Sequence, residues 1–102
     1  MRRGTALVPT RDGSAHQRVQ VIHLQTSDDL VALRQDEEFH EGAMSILRYE
    51  SAPAQGFISH DGPPRTFGGI RFMPGAYITK DEAGNFGFLR DEKAFQEESN
   101  PE

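Results

Sequence analysis

Residues Thr66 to Arg90, TFGGIRFMPGAYITKDEAGNFGFLR, hold five of the nine aromatic side chains of this 102-residue chain and split them into short apolar pairs separated by Gly and Pro. That pattern suits consecutive strands joined by tight turns. Pro74-Gly75 fits the middle of a type II turn, where proline fixes one φ angle and glycine takes the positive one. Glu82, Ala83 and Gly84 fit a three-residue hairpin loop with Gly84 in the left-handed region, which pairs Lys80 with Phe86 and Ile78 with Phe88. This register puts Ile78, Phe86 and Phe88 on one face and Tyr77, Thr79 and Leu89 on the other.

Upstream, RVQVIHLQ (residues 18–25) reads as a central strand, because both of its alternating faces carry apolar groups. Thr26 or Ser27 followed by Asp28 and Asp29 signals a helix start, with Leu30, Leu33 and Val31 or Phe39 as its buried stripe and Gly42 as its stop. AMSILRYE (43–50) alternates as a second strand. SAPAQG then breaks the pattern, GFIS (56–59) is a short strand, and HDGPPRT is a stiff loop because two prolines remove two donors. The expected fold class is α+β: one helix on a mainly antiparallel sheet of about five strands, with a β-α-β start followed by a β-meander and hairpin.

The length allows one domain. Residues 1–17 lack a sustained period and read as a flexible N-terminal arm, residues 18–90 as the α+β domain, and residues 91–102 as an acidic, largely disordered tail on which Phe95 alone offers an anchor. Charge follows the same division. Arg2, Arg3 and Arg11 against Asp12 give the arm +2, seven basic against ten acidic residues give the domain −3, and Lys93 against five acids gives the tail −4, within a net charge of −5. Such a balance does not steer the whole chain to nucleic acid, since phosphate binding rests on Lys and Arg. Cysteine is absent, which removes disulfides and thiolate sites and fits a reducing, cytoplasmic setting. No segment approaches a membrane span.

Ser59, His60 and Asp61 are the residue types of a nucleophilic triad, but adjacent side chains do not make the required relay. A loop in which Asp61 caps the turn is the better account. Glu37, Glu38, His40 and Glu41 place several metal-ligating groups on one stretch of helix, yet a site needs ligands from a second element. They read instead as a solvated acidic helix end. His23 reads as a hydrogen-bonded interior histidine whose burial lowers its pKa. FGG and GNFG lack the spacing of a phosphate cradle, so no cofactor and no metal are expected.

Arg65, Arg71, Lys80 and Arg90 interleave with Phe67, Phe72, Tyr77, Phe86 and Phe88. Aromatic and guanidinium groups are the usual anchors of interfaces. The expectation is therefore a small non-catalytic protein-binding or assembly module, an adaptor, inhibitor or self-associating accessory protein, binding through Arg65, Phe67, Arg71, Phe72 and Tyr77. Its partner would be another protein or a second copy in a homodimer. The first alternative is single-stranded nucleic acid on the same surface, where bases stack on aromatics; no RNP-type motif supports it. The second is a small enzyme or ligand-binding domain with a site between subunits.

Overall fold

The computed structural model describes residues 1–10, 12–62 and 66–98, the side chains of residues 60–62 and 66–68 excepted. Eight strands and two helices follow one another as β1 (Arg2–Pro9), β2 (His16–His23), α1 (Ser27–Gln35), α2 (Glu37–His40), β3 (Met44–Tyr49), β4 (Ala52–Gly62), β5 (Thr66–Phe72), β6 (Tyr77–Lys80), β7 (Phe86–Phe88) and β8 (Gln96–Glu97). They build two antiparallel sheets, one of five strands in the order β7-β6-β2-β1-β8 and one of three in the order β3-β4-β5. The class is α+β, as expected. No helix of the described residues is long and apolar enough to cross a membrane.

The stretch from Thr66 to Arg90 folds as its turn residues dictate. Ala76 N–H donates to the Met73 carbonyl at 3.2 Å, with Gly75 at φ 101° and Gly84 at φ 86°. Lys80 lies opposite Phe86 and Ile78 opposite Phe88. The strand containing His23 is central in its sheet.

Several assignments differ from the sequence expectation. Residues 1–17 are not a free arm: β1 pairs along its whole length with β2. Asp12 locks the connecting turn, its Oδ1 accepting from the Thr10 hydroxyl (2.7 Å), the Ser14 N–H (3.0 Å) and the Ser14 hydroxyl (2.8 Å). These donors, the Ser14 N–H foremost, pull its carboxyl down to about 2. At the other end, residues 91–98 fold back as the 3-10 turn Glu92–Ala94 and β8, so the acidic tail is ordered that far; residues 99–102 lie outside the described residues. The segment from Ala52 belongs to β4 rather than to a break, and the same strand runs on through His60, Asp61 and Gly62, expected as the start of a loop, which pair with Gly68, Phe67 and Thr66 of β5. Finally, β2 and β3 lie in different sheets. Both edges of β2 are already taken by β1 and β6, which leaves no place for a parallel neighbour.

The helical segment is two pieces. At its start the Asp29 carboxylate reaches back, Oδ2 accepting the N–H groups of Gln25 (2.6 Å) and Thr26 (3.2 Å). These bonds satisfy donors that the first helical turn leaves free. At Asp36 the backbone turns aside (φ −87°, ψ 75°), and α2 continues the buried stripe with Phe39. His40 is buried and closes the end: its Nε2–H donates to the Arg34 carbonyl (2.7 Å) and its Nδ1 accepts the Gly42 N–H (3.0 Å).

Two apolar layers result. The main one joins Ile22, Leu24 and Ile78 of the large sheet region to Leu30, Leu33 and Phe39 of the helices and to Met44, Ile58 and Phe72 of the small sheet. The second lies on the opposite face of the large sheet, where Ala6, Val19, Val21 and Leu89 pack under Ala94 and Phe95. Burying a large aliphatic or aromatic side chain contributes about 1.5–3 kcal/mol, so the first layer carries the fold and the second adds to it.

Candidate functional site

The five residues singled out from the sequence do not form one patch. Arg71 is exposed on the small sheet. Phe72, its neighbour, points the other way and is 3% exposed in the main core. Tyr77 is half-buried on the large sheet. Arg65 lies outside the described residues, and so does the side chain of Phe67, whose backbone pairs with Asp61 in β5. Lys80, from the same basic and aromatic alternation, is turned inward: its ammonium lies 5.8 Å from the Phe39 ring centre and 5.7 Å from that of Phe86, and donates to the Glu38 carbonyl at 3.3 Å.

The small sheet alternates up to the register shift after Leu47. Met44, Ile46, Ala54, Ile58, Ile70 and Phe72 belong to the main core, whereas Leu47 and Phe57 belong to neither core. Phe57 lies directly across from Arg71 on one side and Ser45 on the other. Its ring covers Gly69, where an added Cβ would meet the ring at 2.5 Å. Tyr49, at the end of β3 past a register shift, is 48% exposed. Exposed Tyr49 and Arg71, with half-buried Leu47 and Phe57, thus give the outer side of this sheet an aromatic and guanidinium character. The strands β3 and β5 each pair only with β4 among the described strands. Sequence reasoning missed Phe57. Its signal was present in GFIS, where alternation sends Phe57 and Ile58 to opposite faces and the core holds only one of them.

A second aromatic group sits on the large sheet. Arg2, His23 and Tyr77 stand across from one another on β1, β2 and β6. The rings of His23 and Tyr77 stack with centres 3.9 Å apart and planes 3° from parallel. Phe95 meets Tyr77 edge-on at 5.5 Å and lies 5.0 Å from the Arg2 guanidinium, which also pairs with Glu97 at 3.1 Å. Arg2 Nη1–H donates to His23 Nδ1 at 3.4 Å, so the imidazole is neutral at that nitrogen. This is a packed, internally satisfied cluster and not an open site.

Desolvation first, then the Arg2 charge, holds the His23 pKa below its ordinary value; Glu92 and Asp29 oppose this and the N-terminal ammonium adds to it. A histidine that prefers to be neutral when folded contributes stability above its ordinary pKa of about 6.5. That contribution is lost as pH falls through this value toward the lower folded one. The melting temperature should therefore drop between pH 7.5 and 5.5, and His23→Gln should flatten this dependence. An equal slope in the variant would assign the drop to other groups.

Among the described residues, neither chemical cluster named from the sequence assembles a site. Ser59 is exposed, and its hydroxyl donates to the Ala43 carbonyl at 3.3 Å; the side chains of His60 and Asp61 lie outside the described residues. Both ring nitrogens of His40 are engaged by backbone groups, and among the described residues no three potential metal ligands converge. An open groove of about 520 Å³ is lined by Arg3, Thr5, Gln20, Ile22, Phe39 and Glu97, among others. Arg3 there is paired with Asp36, a carboxylate with a buried oxygen, and the Thr5 hydroxyl accepts from Arg18. Among its described lining residues no nucleophile is bonded to a base. Comparison with protein families, with curated proteins and with solved structures finds no match for the chain.

Proposed function

We propose that the chain is a small non-catalytic protein-binding or assembly module that engages a protein partner, or a second copy of itself, through the outer face of the three-stranded sheet. The observation that carries this reading is the pairing of Phe57 with Arg71, beside Leu47, outside both cores. Large apolar groups on the second face of a short sheet add little to the monomer and are the usual centre of an interface when an arginine stands beside them. The edge strands β3 and β5, which have no second partner among the described strands, extend the same surface with backbone donors and acceptors. This reading keeps Arg71 from the surface anticipated in the sequence and replaces Phe72 and Tyr77, which serve the interior, by Phe57 and Tyr49.

The test is the double substitution Tyr49→Ala with Arg71→Ala, both exposed positions. Self-association by sedimentation, or capture of a partner, should weaken by about tenfold or more, the loss typical of interface anchors. Circular dichroism and the urea midpoint should stay as they are. Unaltered sedimentation and capture would sink the reading. A salt-dependent shift of labelled single strands that disappears with Arg71→Ala would replace the protein partner by nucleic acid.

A further inference from the structure

Strand β7 lies on one edge of the five-stranded sheet and β8 on the opposite edge. The seven residues between them, Leu89–Phe95, cross β6, β2 and β1, about 19 Å at the usual strand spacing. Three of those residues are wound into a 3-10 turn, which rises only about 2 Å per residue. The crossing therefore has little slack, all the more because its path is lifted above the side chains it covers.

Its far attachment is short. Strand β8 pairs with β1 at Gly4↔Glu97 and Thr5↔Gln96, with one further bond from Glu98 N–H to the Arg3 carbonyl at 2.8 Å. Yet the seat is closely shaped. A Cβ added at Gly4 would lie 2.0 Å from the Gln96 carbonyl oxygen and 2.8 Å from the Phe95 ring. The face beneath is apolar, with Ala6, Val19 and Val21 buried. Charge matches too: Glu97 meets Arg2, and the acidic end of the segment runs along the basic start of β1. The joint at Arg90 and Asp91 is exposed.

A short, taut segment that fills a groove of its own chain is readily exchanged between copies, because each contact made within one molecule is remade between two. We propose that residues 91–98 are a detachable strap, and that the slot over Gly4, Ala6, Val19, Val21 and Tyr77 is a docking site for the same strap of a second copy, giving a strap-exchanged homodimer. The site lies on the large sheet and is independent of the outer face of the small one, so Tyr49→Ala with Arg71→Ala leaves it intact.

The chain has no cysteine, which permits a direct test on the full chain. Thr5 and Gln96 are directly opposed, a geometry within disulfide reach. A Thr5→Cys chain is mixed with a Gln96→Cys chain, incubated and oxidised, and the products are counted by mass. No single molecule can join these two thiols. Exchange predicts the mixed disulfide in excess over random pairing, with an excess that grows with protein concentration. The double variant, Thr5→Cys with Gln96→Cys, serves as the control for seating and should close within one chain when dilute. A mixed product at its random share at every concentration overturns the proposal, and so does a double variant that fails to close at all.

Discussion

Phe72→Ala should abolish folding or bring the chain to its edge. The ring is 3% exposed and lies across Gly56, where an added Cβ would meet it at 2.3 Å. A glycine has no side chain that can move into the vacated volume, so the cavity stays open. Removing a phenyl group from such a site costs about 3–5 kcal/mol. The stability of a whole domain is about 5–15 kcal/mol, and a chain of this length belongs toward the low end. Arg71→Ala, one residue away on the opposite face, should change stability by no more than about 0.5 kcal/mol. Urea titration of the two variants decides the matter: coincident midpoints would contradict the division of β5 into a core side and an outer side.

Gly4→Val should unseat the C-terminal strap. Valine is favoured in strands, so the backbone of β1 accepts it and the effect falls on what lies above. The new side chain would occupy the position of the Gln96 carbonyl and press on the Phe95 ring. Overpacking of this kind costs about 1–3 kcal/mol, and the strap is the part that can yield. Once it lifts, Tyr77 loses its edge-on partner and Val19 and Val21 meet water. Amide exchange at Phe95, Gln96 and Glu98 should rise to the rate of an open chain while β3, β4 and β5 keep their protection, and the dye ANS should bind the uncovered face. Full retention of protection at these three amides would mean that the glycine is not what seats the strap.

The last hairpin was legible because local chemistry decides it. Gly84 and the Pro74-Gly75 pair permit few turn geometries, and the register of Ile78 with Phe88 follows from the loop length. The first hairpin carried an equally local signal in Asp12-Gly13, bounded by Thr10 and Ser14, but Leu7 and Val8 are too few to announce a strand without the partner that pairs with them. Residues 91–98 were illegible for a different reason. Their acidic composition is that of a solvated tail, and only the shape of Gly4 and the stack of Tyr77 on His23, both far away in sequence, give Phe95 somewhere to go. The candidate surface was half visible. Arg71 lies outside as anticipated, but alternation along FGGIRF and GFIS alone does not say which face another layer will cover. That is set when the helices pack, and it sends Phe72 inward and leaves Phe57 out.

Among the described strands, the three-stranded sheet ends in two open edges, and this limits the assemblies it can support. If the β3 edge of one molecule met the β5 edge of the next, every addition would recreate the same pair of free ends, and growth would continue into a fibre unless the rotation per step closed it into a ring. A closed pair requires like to meet like, β5 against β5 or β3 against β3 about a twofold axis. An edge-to-edge dimer of this chain through that sheet is therefore twofold symmetric, and it leaves one edge of each copy still to be shielded.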